Sequence, residues 1–116
     1  MQSITTARNI LLLGLAFVFL YFGIDKFEHA SLWIGWIPEW MDGLLHMSAD
    51  RWLRIIAVTE IAIGAALIIP FRLIRQIAAI GATLHLVGIL TQVGWNDVGI
   101  RDIGLLAMAV ALFFLL

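Results

Sequence analysis

The chain has 116 residues, 63% of them hydrophobic and 13% charged, with a mean hydropathy of +1.05, whereas ordinary soluble domains are roughly half apolar. That balance excludes a soluble globular domain and marks an integral membrane protein, while a formal net charge of -1 with no basic run excludes the phosphate grip of a nucleic-acid binder. With no cysteine, the chain supplies no disulfide, thiol redox pair or iron–sulfur ligand of its own.

At about 20 residues per helical crossing, the length accommodates about four spans and a single membrane domain over residues 1–116. The first span is expected over about 8–27. Arg8 ahead of an apolar core resembles a signal peptide, but Asp25 to Ala30 hold no pair of small residues spaced for cleavage, so the segment reads as an uncleaved helix. Residues 30–48 follow as a Trp-rich interfacial segment, in which Trp33, Trp36 and Trp40 mix with acids, Pro38 and glycines. Tryptophan suits the headgroup level, and the breakers predict a broken amphipathic piece rather than a crossing.

The second span is expected over about 52–70, stopping at Pro70, whose missing N–H suits a helix boundary. A tight turn carrying Arg72 and Arg75 leads into the third span, about 73–94, which closes on the turn signal Gly94, Trp95, Asn96, Asp97. From Ile103 to Leu116 a helix would reach only about 21 Å. The fourth span is therefore set at about 98–116, with Arg101 and Asp102 near its start, where they must snorkel, pair or face protein.

Four spans put both termini on one side, with Arg8, Arg72 and Arg75 and no acid. The opposite side carries Lys26, Arg51, Arg54 and Arg101, so the lysine and arginine counts nearly tie, and the short Arg72 to Arg75 turn is the signal that favours cytoplasmic termini in the plasma membrane. Small or polar residues recur at helical spacing and predict the inward faces: Asn9, Ala16 and Gly23; Ala57, Glu60 and Gly64; Ala78, Gly81, His85, Gly88 and Gln92; Arg101, Gly104, Ala107 and Ala111. The expected fold is an all-α membrane protein, an antiparallel four-transmembrane-helix bundle with the Trp-rich segment between helices one and two.

The pieces YFGIDKF, WIPEW, EIAIGAALIIP and RDIGLLAMAVALFF occur in an order that resembles the DoxX-type small membrane proteins, over nearly the whole chain. The resemblance implies a four-helix bundle acting as a small subunit of a membrane oxidoreductase complex, such as one passing electrons from a sulfur compound to quinone. Related membrane proteins that handle thiols carry cysteine pairs; their absence here disfavours thiol exchange.

Two constellations can carry chemistry. Glu60 lies about ten residues from Pro70 and His85 about a dozen from Arg72, so at about 1.5 Å per residue both fall at similar depth. A carboxylate alone in hydrocarbon takes up a proton; beside an imidazole it can share one. The couple reads either as a proton relay or quinone hydrogen-bonding site, or as a clasp between two helices, a contact commonly worth about 0.6 and up to about 2 kcal/mol. At the far face, Lys26, Arg101 and Asp97 gather with Asp25, Arg51, Arg54, Asn96 and Asp102. They read as a ligand or quinone-headgroup entry, or as a snorkelling network that fixes helix ends. Gln92 can link the two groups.

No metal centre is expected, and haem is disfavoured because His85 has no histidine partner at its depth. With no nucleophile beside a base and no nucleotide motif, an independent enzyme is not expected. The leading expectation is an oxidoreductase-complex subunit that docks on larger membrane subunits and contributes to quinone binding or proton relay. The alternatives are a homo-oligomeric solute or proton carrier and a structural accessory protein. The lipid bilayer is the expected partner in every case, and nucleic acid in none.

Overall fold

The computed structural model describes residues 2–116, and these are all helical, with no strand among the described residues. Helix α1 spans Gln2–Glu28, α2 the short Ala30–Trp33, α3 Ala49–Ile68, α4 Arg72–Val93 and α5 Asp97–Leu115. By length and composition α1, α4 and α5 can each cross a membrane. Helix α3 has 20 residues, enough for a crossing, but carries Asp50, Arg51, Arg54 and Glu60, a charge load that separates it from the other three.

The helix ends follow local chemistry. Helix α1 starts well before residue 8; its exposed first turn is closed by the Thr6 hydroxyl donating to the Gln2 carbonyl at 2.9 Å. Ser48 caps α3 by accepting from the Arg51 N–H at 3.3 Å, and the chain turns extended at Ile69, ahead of Pro70. Arg75 then donates from Nε to the Leu67 carbonyl at 3.1 Å, satisfying one of the orphan acceptors at the end of α3. Gly94, at φ 77, lets the chain leave α4, and the Asn96 side chain opens α5 by accepting from the Gly99 N–H at 2.9 Å.

Between α2 and α3 the backbone makes only three-residue 3-10 turns, Ile34–Trp36, Glu39–Met41 and Leu44–His46. Pro38 and Ile37 are extended, Gly43 has φ 89, and Leu45 and His46 hold φ of 55 and 61, so no regular helix continues through the segment. The broken geometry expected for residues 30–48 is present. Trp52 ties its end to α3 by donating to the Leu44 carbonyl at 3.1 Å.

Helix α1 lies along α3, α3 along α4, α4 along α5, and α5 returns to α1. Two glycines fix the first contact: a Cβ on Gly23 would stand 3.0 Å from the Ala57 carbonyl oxygen, and one on Gly64 3.1 Å from that of Ala16. Early α1 thus meets late α3 and late α1 meets mid α3, so the two run antiparallel. The same small-residue rule fails on α5. Arg101, Gly104, Ala107 and Ala111 are exposed, and the inward face is Gly99, Asp102, Ala109 and Leu112. Small residues recur on more than one face of α5, and the buried face mixes Gly99 and Ala109 with Leu112, flanked by Leu105 and Leu106, so the spacing of small residues alone does not select it. On α4 the inward face follows Ala78, Ala82 and Leu86, leaving Gly88 and Gln92 exposed, and on α1 Asn9 is exposed.

The packed core is confined to one half of the molecule. Leu12, Leu15, Ala16, Leu67, Ala78 and Leu112 close it where the chain ends lie. Toward the Trp-rich segment the helices enclose a cavity instead.

Candidate functional site

Three titratable side chains from three helices meet at the cavity floor. Lys26, on the last turn of α1, places Nζ 2.7 Å from Glu60 Oε1, and His85 on α4 places Nε2 3.5 Å from Glu60 Oε2. Lys26 is 8% exposed and Glu60 5%. The expected meeting of Glu60 and His85 is present, with an ion pair that the sequence reading did not foresee. Lys26, expected in the far-face group with Arg101, turns inward and reaches the carboxylate.

The aromatic surroundings explain that turn. The ammonium lies over the Trp33 ring at 4.0 Å from its centroid, a cation–π contact that shields it from hydrocarbon. Trp33 is held by its own N–H, which donates to Asp25 Oδ2 at 2.8 Å, and by an edge-to-face contact with Phe22 at 5.4 Å between centroids. Asp25 Oδ1 in turn pairs with His29 Nδ1 at 2.8 Å. On the other side Phe19 packs on His85, centroids 5.8 Å apart.

Glu60 Oε1 and His85 Nε2 are both buried: the Lys26 ammonium is the near neighbour of Oε1, while His85 Nε2 stands at the outer limit of a hydrogen bond from Oε2. The charges compensate one another, but the acceptor capacity of the carboxylate is left largely unused.

A second pair sits on α5. Arg101 donates from Nη2 to Asp102 Oδ1 at 3.2 Å and stacks over Phe22, its guanidinium carbon 5.0 Å from the ring centroid. Asp102 is 4% exposed and Arg101 mostly exposed, so the pair runs from the interior to the surface. Asp97 is exposed at the start of α5, outside the cavity lining. Gln92 does line it, and its Oε1 accepts from the Trp40 N–H at 3.1 Å. Among the described residues no group of three or more His, Asp or Glu side chains converges to hold a metal.

The cavity has a volume of about 510 Å³ and is half open. Its walls come from Phe19 and Phe22 of α1, Leu53 and Ile56 of α3, Ile89 of α4 and Leu105 of α5; Trp33, Trp36, Pro38, Trp40 and Met41 form the cover. It is an apolar slot with convergent polar groups at its base, the usual composition of a small-molecule site. Below the triad the packed core blocks any continuation, so the slot is a dead end.

The Trp40 to Gln92 bond is the hydrogen bond that ties this cover to α4. Trp40→Phe is therefore expected to change global stability by no more than about 1.5 kcal/mol, while amide exchange across residues 37–47 accelerates. Unchanged exchange there would show that Trp40 does not hold the cover down.

The fold and cavity define a helical protein, with three helices long and apolar enough to cross a membrane, that carries an apolar slot with charged groups at its base. Compared with protein-family models, curated proteins and solved structures, the chain matches none.

Proposed function

We propose that the four long helices all cross the plasma membrane as an antiparallel bundle with cytoplasmic termini, and that the protein is a small quinone-binding subunit of a membrane oxidoreductase complex. The observation that carries this reading is the dead-end apolar slot whose floor holds Lys26, Glu60 and His85. Its length supports the topology: the molecule extends 49 Å along its longest axis, enough for a hydrocarbon core of about 30 Å and both headgroup layers. In this arrangement α3 carries Glu60 into the membrane with its counter-ion supplied by α1.

The residues present fit a quinone. Aromatic and aliphatic walls suit a flat ring and its tail, and the Glu60 carboxylate and His85 Nε2, the latter only 3.5 Å from Oε2 and otherwise without a hydrogen-bond partner, lie where a polar head would stop. A bound quinone would supply a two-electron, two-proton carrier. The chain itself would orient the head with the Lys26 ammonium and the His85 ring, exclude water by the core below and hold an exchangeable proton between His85 and Glu60. Electrons would come from a partner, since a chain without cysteine has no thiol or iron–sulfur centre of its own. The subunit role is the one that a resemblance of the ordered sequence pieces to DoxX-type proteins would imply. An oligomeric solute or proton carrier finds less support, because a carrier needs access from both faces and the core fills one half.

Purification in mild detergent followed by extraction of bound lipids and identification of co-purifying chains tests the proposal. The expected result is about one quinone retained per chain together with larger membrane subunits. Quinone no more abundant than on an unrelated helical membrane protein from the same membrane would refute ligand binding, and a clean homomer would refute the subunit role.

A further inference from the structure

We infer that the slot selects a neutral amphiphile whose buried polar end is a hydroxyl, so that, within the quinone reading on which this rests, it binds the reduced quinol in preference to the oxidised quinone. The charges decide the first half. The Lys and Arg side chains lining the slot are each matched by a carboxylate, Lys26 by Glu60 and Arg101 by Asp102, two compensated pairs. A small anion entering such a site would find no net positive charge to replace its hydration, and a cation no net negative charge.

The hydrogen-bond inventory decides the second half. A carboxylate accepts at about four positions. Glu60 is buried, its Oε1 is taken by the Lys26 ammonium at 2.7 Å, and Oε2 has only His85 Nε2 at 3.5 Å, the outer limit of a hydrogen bond. The deepest unmet demand in the slot is thus for a donor. A ligand carbonyl brings another acceptor and can be served only by Lys26 or His85, leaving the Glu60 demand as it was. A ligand hydroxyl donates to Glu60 and still accepts from Lys26. Such a hydrogen bond to a charged group, made where none existed, favours the hydroxyl form by about tenfold or more.

A redox-inert pair of probes isolates this preference: para-octylphenol and its methyl ether, para-octylanisole, whose oxygen still accepts but cannot donate. Each is titrated into the detergent-solubilised protein, and the rise of the unfolding midpoint with concentration gives the affinity. The phenol is expected to bind about tenfold more tightly. In the double variant Lys26→Met with Glu60→Leu, which removes the acceptor without leaving an unpaired charge, the two probes are expected to bind alike. Equal binding of both probes to the unsubstituted protein would overturn the donor preference and leave the quinone reading standing. Binding of neither would overturn both.

Discussion

Replacing Lys26 by methionine is expected to destabilise the protein by about 3–5 kcal/mol, the loss typical when one partner of a buried ion pair is removed. Methionine keeps the stem that packs on Trp33 and Phe22, so the loss isolates the charge. Glu60 would be left with His85 at 3.5 Å as its sole neighbour of possible positive charge. The double change Lys26→Met with Glu60→Leu is expected to recover most or all of the loss, because apolar replacements of similar volume need no desolvation. By contrast Arg54→Ala, which breaks the exposed Arg54 to Asp50 pair one turn into α3, is expected to cost about 0.5 kcal/mol. Reversible unfolding in mixed micelles, followed by helical circular dichroism, measures all three. A single variant within about 1 kcal/mol of the parent would mean that the pair is solvated; a double variant as weak as the single would place the loss in packing.

How far the site was legible in the sequence depends on which helices touch closely. Glu60 and His85 could be brought together from helix ends and rise per residue alone, because both sit mid-helix on chains joined by a short turn. The Lys26 to Glu60 pair needs the register of α1 on α3, and that register is set by tertiary contact of Gly23 with Ala57 and Ile61. The signal was present: Lys26 lies one turn past Gly23 on the stripe that begins at Ala16. It was masked because a lysine at a helix end is ordinarily read as snorkelling outward. Helix α5 failed for a different reason. Small residues lie on more than one face of α5, and the buried one combines Gly99 and Ala109 with Leu112, a mixture that spacing alone does not single out. The cover of the cavity was legible only as an interfacial segment, since the Trp40 to Gln92 bond joins residues far apart in the chain.

The distinction between small residues that touch backbone and small residues that do not predicts opposite outcomes for one substitution. At Gly23 an added Cβ would stand 2.7 Å from Ile61 Cγ1, 3.0 Å from the Ala57 carbonyl oxygen and 3.1 Å from the Ile61 nitrogen. At Gly64 it would meet Leu20 Cγ at 2.7 Å and the Ala16 carbonyl oxygen at 3.1 Å. Side chains can rotate away; the backbone atoms yield only if α1 and α3 separate. Gly23→Ala and Gly64→Ala are each expected to cost about 1–3 kcal/mol. Shortening the facing side chain, as in Gly23→Ala with Ile61→Ala, should not restore the parent stability. Gly104→Ala, at a position with no atom within 4 Å of the new methyl, is expected to be neutral or to stabilise by up to about 1 kcal/mol through helix propensity. The Gly23 variant carries a further consequence, because Lys26 is one turn away. Any separation of α1 from α3 lengthens the 2.7 Å contact to Glu60, so Gly23→Ala should also weaken phenol binding, whereas Gly64→Ala, two turns farther down α1 in its contacts, should lose stability with the preference for a hydroxyl intact. If both glycine variants lose the preference equally, the floor of the slot is held by the bundle as a whole and not by the local register at Gly23.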